Sequence, residues 1–494
     1  MHLTRVPVVA CASIAIRSFH QFKGEENMKP NNLSRRDFLK LSAVTGTGAL
    51  LAACAMPAAP AGEGGAAAPP AVTTTIDFWD FPYYSSALGE PGSWQWERAN
   101  AFMEENPSIE VEVLPLTWEQ GSKVTTALAA GSPPDVVGGG WIQLALSALE
   151  VGLALDLTDS LEEQLSSDMV EGMLEQCSIE GRVYMLPYWP VCQSGVVYLD
   201  GVEEAGAMDT APQAPCYGWN IDQFNGWLEA VRGTRPDGSE RYGLGIPSAH
   251  STPAFHWVTL LYFRCFGAHF WTDETESCVD MASPEAIKCL AWMQELAAND
   301  LIPDPAGYTG DDNNALIDQG NVLMQVGNVV PGGARREGME LDTETLVVTD
   351  TENERKWRFI QYPHDDPHPA IAWGGANYSG LVPFKPEDPA DTPGLLKFLH
   401  WMTNTESEEW LVKSAGMLPF RKSILEEVAD DPLVVYTSEC LMPNAWFDAK
   451  RSTETIVVRS IFEEHFQGAF SGMSAEQVMQ EMTDDINTAL ESCA

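Results

Sequence analysis

The chain is poor in basic residues and has no strong membrane-spanning run near its N-terminus. Only 28 of its 494 residues are Lys or Arg, against 71 Asp or Glu, and the formal net charge is −43. This charge repels phosphate backbones and anionic headgroups, which argues against nucleic-acid binding and against membrane binding through a basic face. The apolar run at 41–53 has 13 residues, whereas a spanning helix needs about 20.

Motifs of several enzyme classes are also missing. The sequence has no C-x-x-C pair for structural zinc, no G-x-S-x-G nucleophile elbow and no glycine-rich phosphate loop. The run His364–His368 offers metal-type ligands but contains a proline in a polar stretch, so we interpret it as a surface loop. The acidic run at 304–314 lacks calcium-loop spacing and is expected to cap the next helix. We therefore predict no catalytic residues, no metal and no cofactor.

The cysteines leave their pairing open. The body of the chain contains an even number of them, which is compatible with disulfides in an exported protein. They are Cys177, Cys192, Cys216, Cys265, Cys278, Cys289, Cys440 and Cys493. Spacing alone does not assign the pairs.

What is present begins with an export signal. Ser34-Arg35-Arg36-Asp37-Phe38-Leu39-Lys40 forms a twin-arginine motif, and a short apolar run follows it. That run ends in Leu51-Ala52-Ala53-Cys54, which is typical of a lipoprotein cleavage box. Proteins exported by the twin-arginine route fold before they cross, so any disulfide would have to form late or with help. We predict export, with a lipid anchor on Cys54.

Segments on either side of the signal are not part of the folded body. Met28-Lys29 begins a conventional signal, so translation is expected to start at Met28 and residues 1–27 to be a mis-assigned start. Residues 55–73 are rich in Ala, Pro and Gly and carry a single charge. This composition predicts a flexible linker between the anchor and the body.

The body opens with an alternation of strands and helices. Strand patterns at 74–80, 109–113 and 135–137 are separated by helical patterns at 94–106 and 118–130. A βαβαβ unit of this kind predicts a parallel sheet with helices on its faces. The fold class is therefore α/β.

The same region resembles the family 1 extracellular solute-binding proteins of ABC importers, which are mostly carbohydrate binders. The resemblance starts with W-E-x-x-x-x-F-x-x-x-N-P-x-I-x-V-E at 96–112 and ALAAGSPPDV at 127–136. Weaker family segments follow in order, at 152–157, 181–187, 218–224, 319–324 and 395–420. At 218–224 the usual proline is missing. The resemblance covers nearly all of the mature chain.

This resemblance implies a two-lobed fold of the periplasmic binding-protein type II, with a ligand cleft between lobes joined by crossover strands. We place the crossovers near 194–199, 322–328 and 377–383. Lobe 1 is then predicted to comprise 74–192 and about 322–376. Lobe 2 is predicted to comprise about 193–321 and 377–494.

Candidate ligand-binding residues follow from the rule that ligands bind at the carboxyl ends of strands in open α/β sheets. Aromatic rings can stack on the C–H face of a pyranose, and carboxylates and amides can bind its hydroxyls. Candidate platforms are Trp79, Trp141, Trp189, Trp257, Trp271, Trp373, Tyr378 and Trp446. Candidate polar partners are Asp80, Gln143, Gln193, Asn328 and Asn377, and Gly374-Gly375 would let the backbone approach a ligand.

Most tryptophans in a protein are core residues, and we expect this of Trp292 and Trp401, which have apolar neighbours at helical spacing. Trp79, Trp141 and Trp373 are stronger candidates because each lies at a strand end or beside a glycine pair.

The sequence thus predicts a monomeric, lipid-anchored receptor that captures a sugar or small oligosaccharide and delivers it to membrane permease subunits. It would act outside the cytoplasm, on the outer face of the cell membrane or in the periplasm. Two alternatives stay open: a secreted carbohydrate-active hydrolase, and a binding module for a sensor system. No pair of carboxylates stands out as a hydrolase site.

Overall fold

A computed structural model describes residues 73–81, 93–116, 120–213, 216–249, 255–272, 278–329, 334, 338–375, 379–414, 417–446 and 452–490. The predictions for the export signal, the linker and Cys54 lie outside these residues. Among the helices of the described part, none is long and apolar enough to cross a membrane.

Strands and helices alternate along the chain. The strands are β1 (Thr74–Asp80), β2 (Ile109–Pro115), β3 (Val136–Gly140), β4 (Ser178–Ile179), β5 (Arg182–Val183), β6 (Leu186–Pro187), β7 (Val191–Tyr198), β8 (Gly233–Thr234), β9 (Glu240–Arg241), β10 (Met324–Val329), β11 (Met339–Leu341), β12 (Val347–Asp350), β13 (Arg355–Ile360), β14 (Ala372–Gly375), β15 (Gly380–Pro383) and β16 (Ala445–Trp446).

The α-helices are α1 (Trp94–Glu105), α2 (Gly121–Ala129), α3 (Ile142–Glu150), α4 (Glu163–Asp168), α5 (Met173–Gln176), α6 (Leu199–Glu204), α7 (Ile221–Val231), α8 (Phe255–Cys265), α9 (Pro284–Ala298), α10 (Gly310–Asp318), α11 (Thr392–Met402), α12 (Thr405–Lys413), α13 (Lys422–Glu427), α14 (Pro432–Tyr436), α15 (Ser452–Gly468) and α16 (Ala475–Ala489). Short 3₁₀ turns cover Thr158–Ser160, Pro389–Asp391 and Met442–Asn444, and a π-helical turn covers Thr437–Leu441.

The predicted βαβαβ unit is confirmed. Strand β1 pairs in parallel with both β2 and β3, and the sheet runs in the order β2-β1-β3-β15-β6. Gly131 ends the second helical segment because its φ of 76° suits a residue without a Cβ, and its N–H bonds back to Leu128. Along β1, Ile76 and Phe78 point into the core.

This sheet and its helices form the first lobe, which comprises the described residues of 73–187 and 379–420. Its apolar cluster includes Phe78 and Phe102, whose rings both meet Phe398 edge-on at 5.3 Å. Phe398 lies on α11, so a helix from late in the chain closes a core begun at its start. Burying a ring of this size contributes about 1.5–3 kcal/mol.

The second lobe comprises the described residues of 191–375 and 432–490. Its sheet runs β11-β12-β13-β7-β14-β16, and β10 also pairs with β7. One large apolar cluster covers the helical side and includes Trp219, Trp227 and Trp292. A smaller cluster around Cys192, Phe359 and Tyr436 lies between β7, β13 and α14. Helix α15 packs on α16 and also contacts α3 of the first lobe.

The chain passes from one lobe to the other three times, between β6 and β7, between β14 and β15, and at about 421–431. The first two joining stretches are hydrogen-bonded, since the backbone N–H groups of Tyr188 and Trp189 both donate to the Ser379 carbonyl. The backbone N–H of Leu418, just before the third stretch, donates to the Pro190 carbonyl. These bonds hold the joining stretches side by side.

Two predicted boundaries are wrong. The segment at 322–376 belongs to the second lobe, because β10 and β13 both pair antiparallel with β7. Residues 379–420 belong to the first lobe, because β15 pairs with β3 and β6. The apolar run near 322–328 is a core strand of the second sheet and not a crossover. A crossover was also predicted near 377–383; β14 and β15 lie in different sheets, and residues 376–378 between them are outside the described part of the chain.

One disulfide joins Cys216 to Cys440 across a sequence separation of 224 residues, and Cys278 is also disulfide-bonded. Four described cysteines, Cys177, Cys192, Cys265 and Cys289, are buried and are not disulfide-bonded. Burial raises the pKa of each of these four thiols, so they remain protonated and unreactive at neutral pH.

Candidate ligand-binding site

Asp80 ends the first strand of the first lobe and is fully buried. A Cβ added to Gly138 on the neighbouring strand would collide with the Asp80 carboxyl and with the Phe78 ring. The glycine therefore leaves room for the carboxyl at the carboxyl end of the sheet. Asp80 and Gly138 are also register partners on the two neighbouring strands.

Burial is also what sets the protonation state of this carboxyl. Desolvation raises the pKa of Asp80 to about 8, while hydrogen bonds from Gln95, from the backbone N–H of Phe81 and from Tyr188 act in the opposite direction. At neutral pH the side chain is a carboxylic acid that can both donate and accept a hydrogen bond. A neutral polar ligand would meet no charge here.

Aromatic rings surround this end of the first sheet. The rings of Phe81 and Trp141 are 5.8 Å apart, and those of Tyr188 and Trp189 are 6.5 Å apart. Trp189 packs against Gly139, where an added Cβ would reach its ring. Trp141 is half-buried at the residue before α3, and Gln143 lies in the first turn of that helix and is buried. The edge therefore combines one half-exposed ring with buried polar groups.

Trp79 is not brought together with these residues. Side chains alternate along a strand, so Trp79 lies on the opposite face of the sheet from Asp80. Its indole N–H donates to Asp77 Oδ1 at 2.9 Å, and Lys123 on α2 lies over the ring at 4.4 Å. These contacts tie Trp79 to the packing of α2 on the sheet.

In the second lobe, three candidates share one row of the sheet. Trp373 on β14 is paired with Gln193 on β7 on one side and with Trp446 on β16 on the other. Gly375 is paired with Val191 two residues further along. Residues 193, 373 and 446 are far apart in sequence, so this row exists only because three strands meet.

Buried polar contacts hold this row in place. Next to Gln193, which is 4% exposed, the Ser194 hydroxyl lies 2.9 Å from the Tyr436 hydroxyl and donates to the Ile360 carbonyl at 2.8 Å. Burial raises the pKa of Tyr436, so the phenol stays protonated. Strand β7 is thereby linked both to β13 and to α14.

The remaining predicted ligand-binding residues lie in several different parts of the molecule. Trp271 is half-buried against the second-lobe core, and Trp189 is fully buried. Asn328 lies on β10, beside an irregularity in its pairing with β7, and Trp257 lies on α8. The side chains of Asn328, Trp257, Trp373 and Trp446, and all of Asn377 and Tyr378, lie outside what the structure describes.

Two residues near the site were not among the predicted ones. Gln95 follows the start of α1 and Tyr188 follows β6, and both hydrogen-bond to Asp80. The sequence Tyr188-Trp189-Pro190 directly after a short strand was a signal for Tyr188, since Trp79-Asp80 lies similarly at the carboxyl end of β1. Gln95 had no such signal because it lies within a helical pattern.

The predicted core tryptophans are confirmed. Trp292 is buried in the second-lobe cluster. Trp401 packs on the first-lobe cluster, donates from its indole N–H to the Arg98 carbonyl at 3.0 Å, and lies under the Arg98 guanidinium at 4.4 Å.

The two loops that offered metal-type ligands have other partners. In 364–368, Asp365 pairs with Lys288, and His364 Nε2 lies 3.7 Å from an Asp366 oxygen. In 304–314, Thr309 and Asp312 form a capping box on α10, as predicted. Within the described part of the chain, no group of three His, Cys, Asp or Glu side chains could hold a metal ion.

Residues 97–435 match the family described as bacterial extracellular solute-binding protein, and residues 32–52 match the twin-arginine translocation pathway signal sequence. The chain belongs to the bacterial extracellular solute-binding proteins. The twin-arginine signal is also confirmed, and both matches indicate export from the cytoplasm. No curated protein matches the chain significantly.

Solved structures confirm the two-lobed α/β fold of this solute-binding protein. One is an ABC transporter solute-binding protein from Thermotoga lettingae bound to tagatose, at 18% identity and a TM-score of 0.65, covering 85% of this chain and 100% of that one. Another is a maltose/maltodextrin-binding domain from Bdellovibrio bacteriovorus bound to maltotriose, at 15% identity and a TM-score of 0.65, covering 84% and 100%. At these identities the likeness concerns the fold.

Proposed function

We propose that this solute-binding protein is the substrate-binding component of an ABC importer and captures a neutral sugar or short oligosaccharide. The observation that carries the proposal is that a partly buried tryptophan, Trp141, and a buried protonated carboxyl, Asp80, both lie at the carboxyl end of the first sheet. A ring stacks on the apolar face of a sugar, and polar groups bind its hydroxyls. Structural neighbours that bind tagatose and maltotriose support this ligand class.

In this proposal each lobe contributes one side of the site. Trp141, Asp80 and Gln143 act from the first lobe, and Gln193, Trp373, Gly375 and Trp446 act from the second. Trp257, Asn328 and Asn377 stay proposed contacts, and Trp79 is the weakest member because it faces away from Asp80.

Ligand capture would bring the lobes together about the three joining stretches, and the closed form would be the one that the permease subunits bind. The negative charge of the chain disfavours anionic ligands. The receptor would act as a monomer without enzymatic activity.

Lipid attachment at Cys54 is also part of this proposal. It is supported by Leu51-Ala52-Ala53-Cys54 at the end of the matched signal sequence. The mass of the N-terminal peptide of membrane-extracted protein tests it, and an unmodified peptide starting elsewhere would contradict it.

The proposed site is tested by titrating the soluble body with a panel of sugars and oligosaccharides in a calorimeter. For the saccharide that binds, Trp141→Ala should weaken affinity by about 1–3 kcal/mol, or roughly 5- to 150-fold, because a stacking surface is lost. Trp357→Ala is the matched control, since Trp357 pairs with Tyr198 at the other end of β7 from Gln193.

Unchanged affinity of Trp141→Ala would remove this residue from the site. The saccharide should be recovered intact by mass spectrometry after incubation. Conversion of the saccharide would contradict a transport receptor and indicate a hydrolase.

A further inference from the structure

The segment Pro432–Trp446 forms part of the second-lobe side of the proposed site. It contains α14, the π-helical turn, the last 3₁₀ turn and β16, and it ends at the position paired with Trp373. The two-residue strand β16 is short, so its own pairing does little to fix it.

Three contacts outside the strand help to hold this segment. At its start, Tyr436 meets the Ser194 hydroxyl beside Gln193. Further along, Cys440 is bonded to Cys216, and the Cys440 carbonyl accepts a hydrogen bond from the Gln361 side chain. The disulfide is the one covalent link among these contacts, and it lies between Tyr436 and Trp446.

The export route decides when this link forms. The chain has a twin-arginine signal, and proteins that use this route cross the membrane already folded. Thiols are kept reduced in the cytoplasm, so the pair meets an oxidant only after export and in the folded protein. The two sulfurs differ in access, because Cys216 is exposed whereas Cys440 is 3% exposed.

We propose that oxidation of Cys216 and Cys440 after export sets the affinity of the ligand site by fixing the segment Pro432–Trp446 against the second sheet. The inference rests on the proposed function for its ligand. It adds that the reduced, folded receptor binds that ligand more weakly than the oxidised one.

The chemistry is thiol–disulfide exchange with an external disulfide, RSSR. The Cys216 thiolate attacks one sulfur of RSSR and releases RS⁻, which leaves a mixed disulfide at Cys216. The Cys440 thiolate then attacks the Cys216 sulfur and releases the second RS⁻. The cysteines lose two protons and two electrons, and RSSR becomes two RSH.

The test compares oxidised wild type with Cys216→Ser and Cys440→Ser, with maltotriose as the probe. Both variants remove the same disulfide, one by a substitution at an exposed residue and the other at a buried residue. An effect that both variants show is therefore caused by loss of the disulfide. We expect affinity at least tenfold weaker in both. Met208→Ser, at an exposed residue of the same lobe, is the control and should bind as wild type does.

Amide hydrogen exchange on the same proteins gives a readout that needs no ligand. Exchange at 436–446 should rise at least tenfold in both cysteine variants, while exchange in β1 of the first lobe stays as in wild type. Equal exchange at 436–446 in all proteins, or affinities within twofold, would overturn the inference. Failure of oxidised wild type to bind any saccharide would instead contradict the proposed function.

The order of the exchange is tested separately with oxidised glutathione on the reduced, folded variants. Cys440→Ser should retain one glutathione on Cys216, whereas Cys216→Ser should retain little on Cys440. Equal labelling of the two variants would contradict the proposal that Cys216 reacts first with the external disulfide.

Discussion

The two sides of the proposed site are built in different ways. On the first lobe, Asp80 and Trp141 follow strands of one βαβαβ unit, and Gly138 between them makes room for the carboxyl. On the second lobe, residues 193, 373 and 446 come from three separate parts of the chain and meet through strand pairing. The first side depends on local chain order, whereas the second depends on long-range contacts.

This difference indicates where each side is vulnerable. The first side contains a buried ionisable group and tight backbone packing. Substitutions that change side-chain charge or volume should therefore alter the stability of this side. The second side depends on hydrogen bonds and a disulfide between distant segments. Removal of a single hydrogen bond or of the disulfide should therefore weaken this side.

The largest effect is expected for Asp80→Asn. Desolvation raises the pKa of Asp80 from 3.8 to about 8, so between these values the folded state binds a proton that the unfolded state has lost. The free energy of unfolding therefore falls as pH rises from about 4 to 8, by about 1.4 kcal/mol per unit, and levels off above 8. Asparagine removes this slope and should raise stability at pH 7 by about 2–4 kcal/mol.

Urea unfolding of wild type and variant at pH 5, 7 and 8 measures this slope. Burial also raises the pKa of Glu408, to about 7. The free energy of unfolding therefore keeps a pH dependence from Glu408 below pH 7, and this part is the same in wild type and in Asp80→Asn. Asp430→Asn, at an exposed residue, is the control and should leave the stability at pH 7 unchanged. A variant less stable than wild type at pH 7 would contradict the buried protonated carboxyl.

Gly138→Ala should destabilise the protein by about 1–3 kcal/mol, because the new methyl group collides with Asp80 and Phe78 and must displace them. Its control lies on the other lobe. Gly226 is exposed inside α7, with no atom within 4 Å of an added Cβ, so Gly226→Ala should stabilise by about 0.5–1 kcal/mol. Thermal unfolding measures both, and a shift of the same sign in the two variants would count against tight packing at Gly138.

The smallest effect is expected for Tyr436→Phe. It removes the hydroxyl that meets Ser194, while Ser194 keeps its bond to the Ile360 carbonyl, so the loss should be about 0.5–1.5 kcal/mol. Ser194→Ala and the double variant complete a cycle in denaturant unfolding. Additive effects of the two changes would show that the contact does not link β7 to α14.

Sequence reasoning predicted most of the first lobe. The strand and helix patterns from 74 to 140 were correct because each element was marked by its own periodicity and by Gly or Pro at its end. Trp292 and Trp401 were recognised as core residues for the same reason. It failed for the segments at 322–376 and 379–420, because an apolar strand has the same pattern whichever sheet it joins.

The sequence by itself determined the export signal, the α/β class, the family and the place of Asp80 and Trp141 at strand ends. These features depend on residues close together in the chain. Tertiary structure alone decided which lobe the later strands join, that Gln95 and Tyr188 contact Asp80, and that Cys216 pairs with Cys440. It also decided that residues 193, 373 and 446 form one row. Such features depend on which distant segments pack against each other, and local sequence patterns do not specify these long-range contacts.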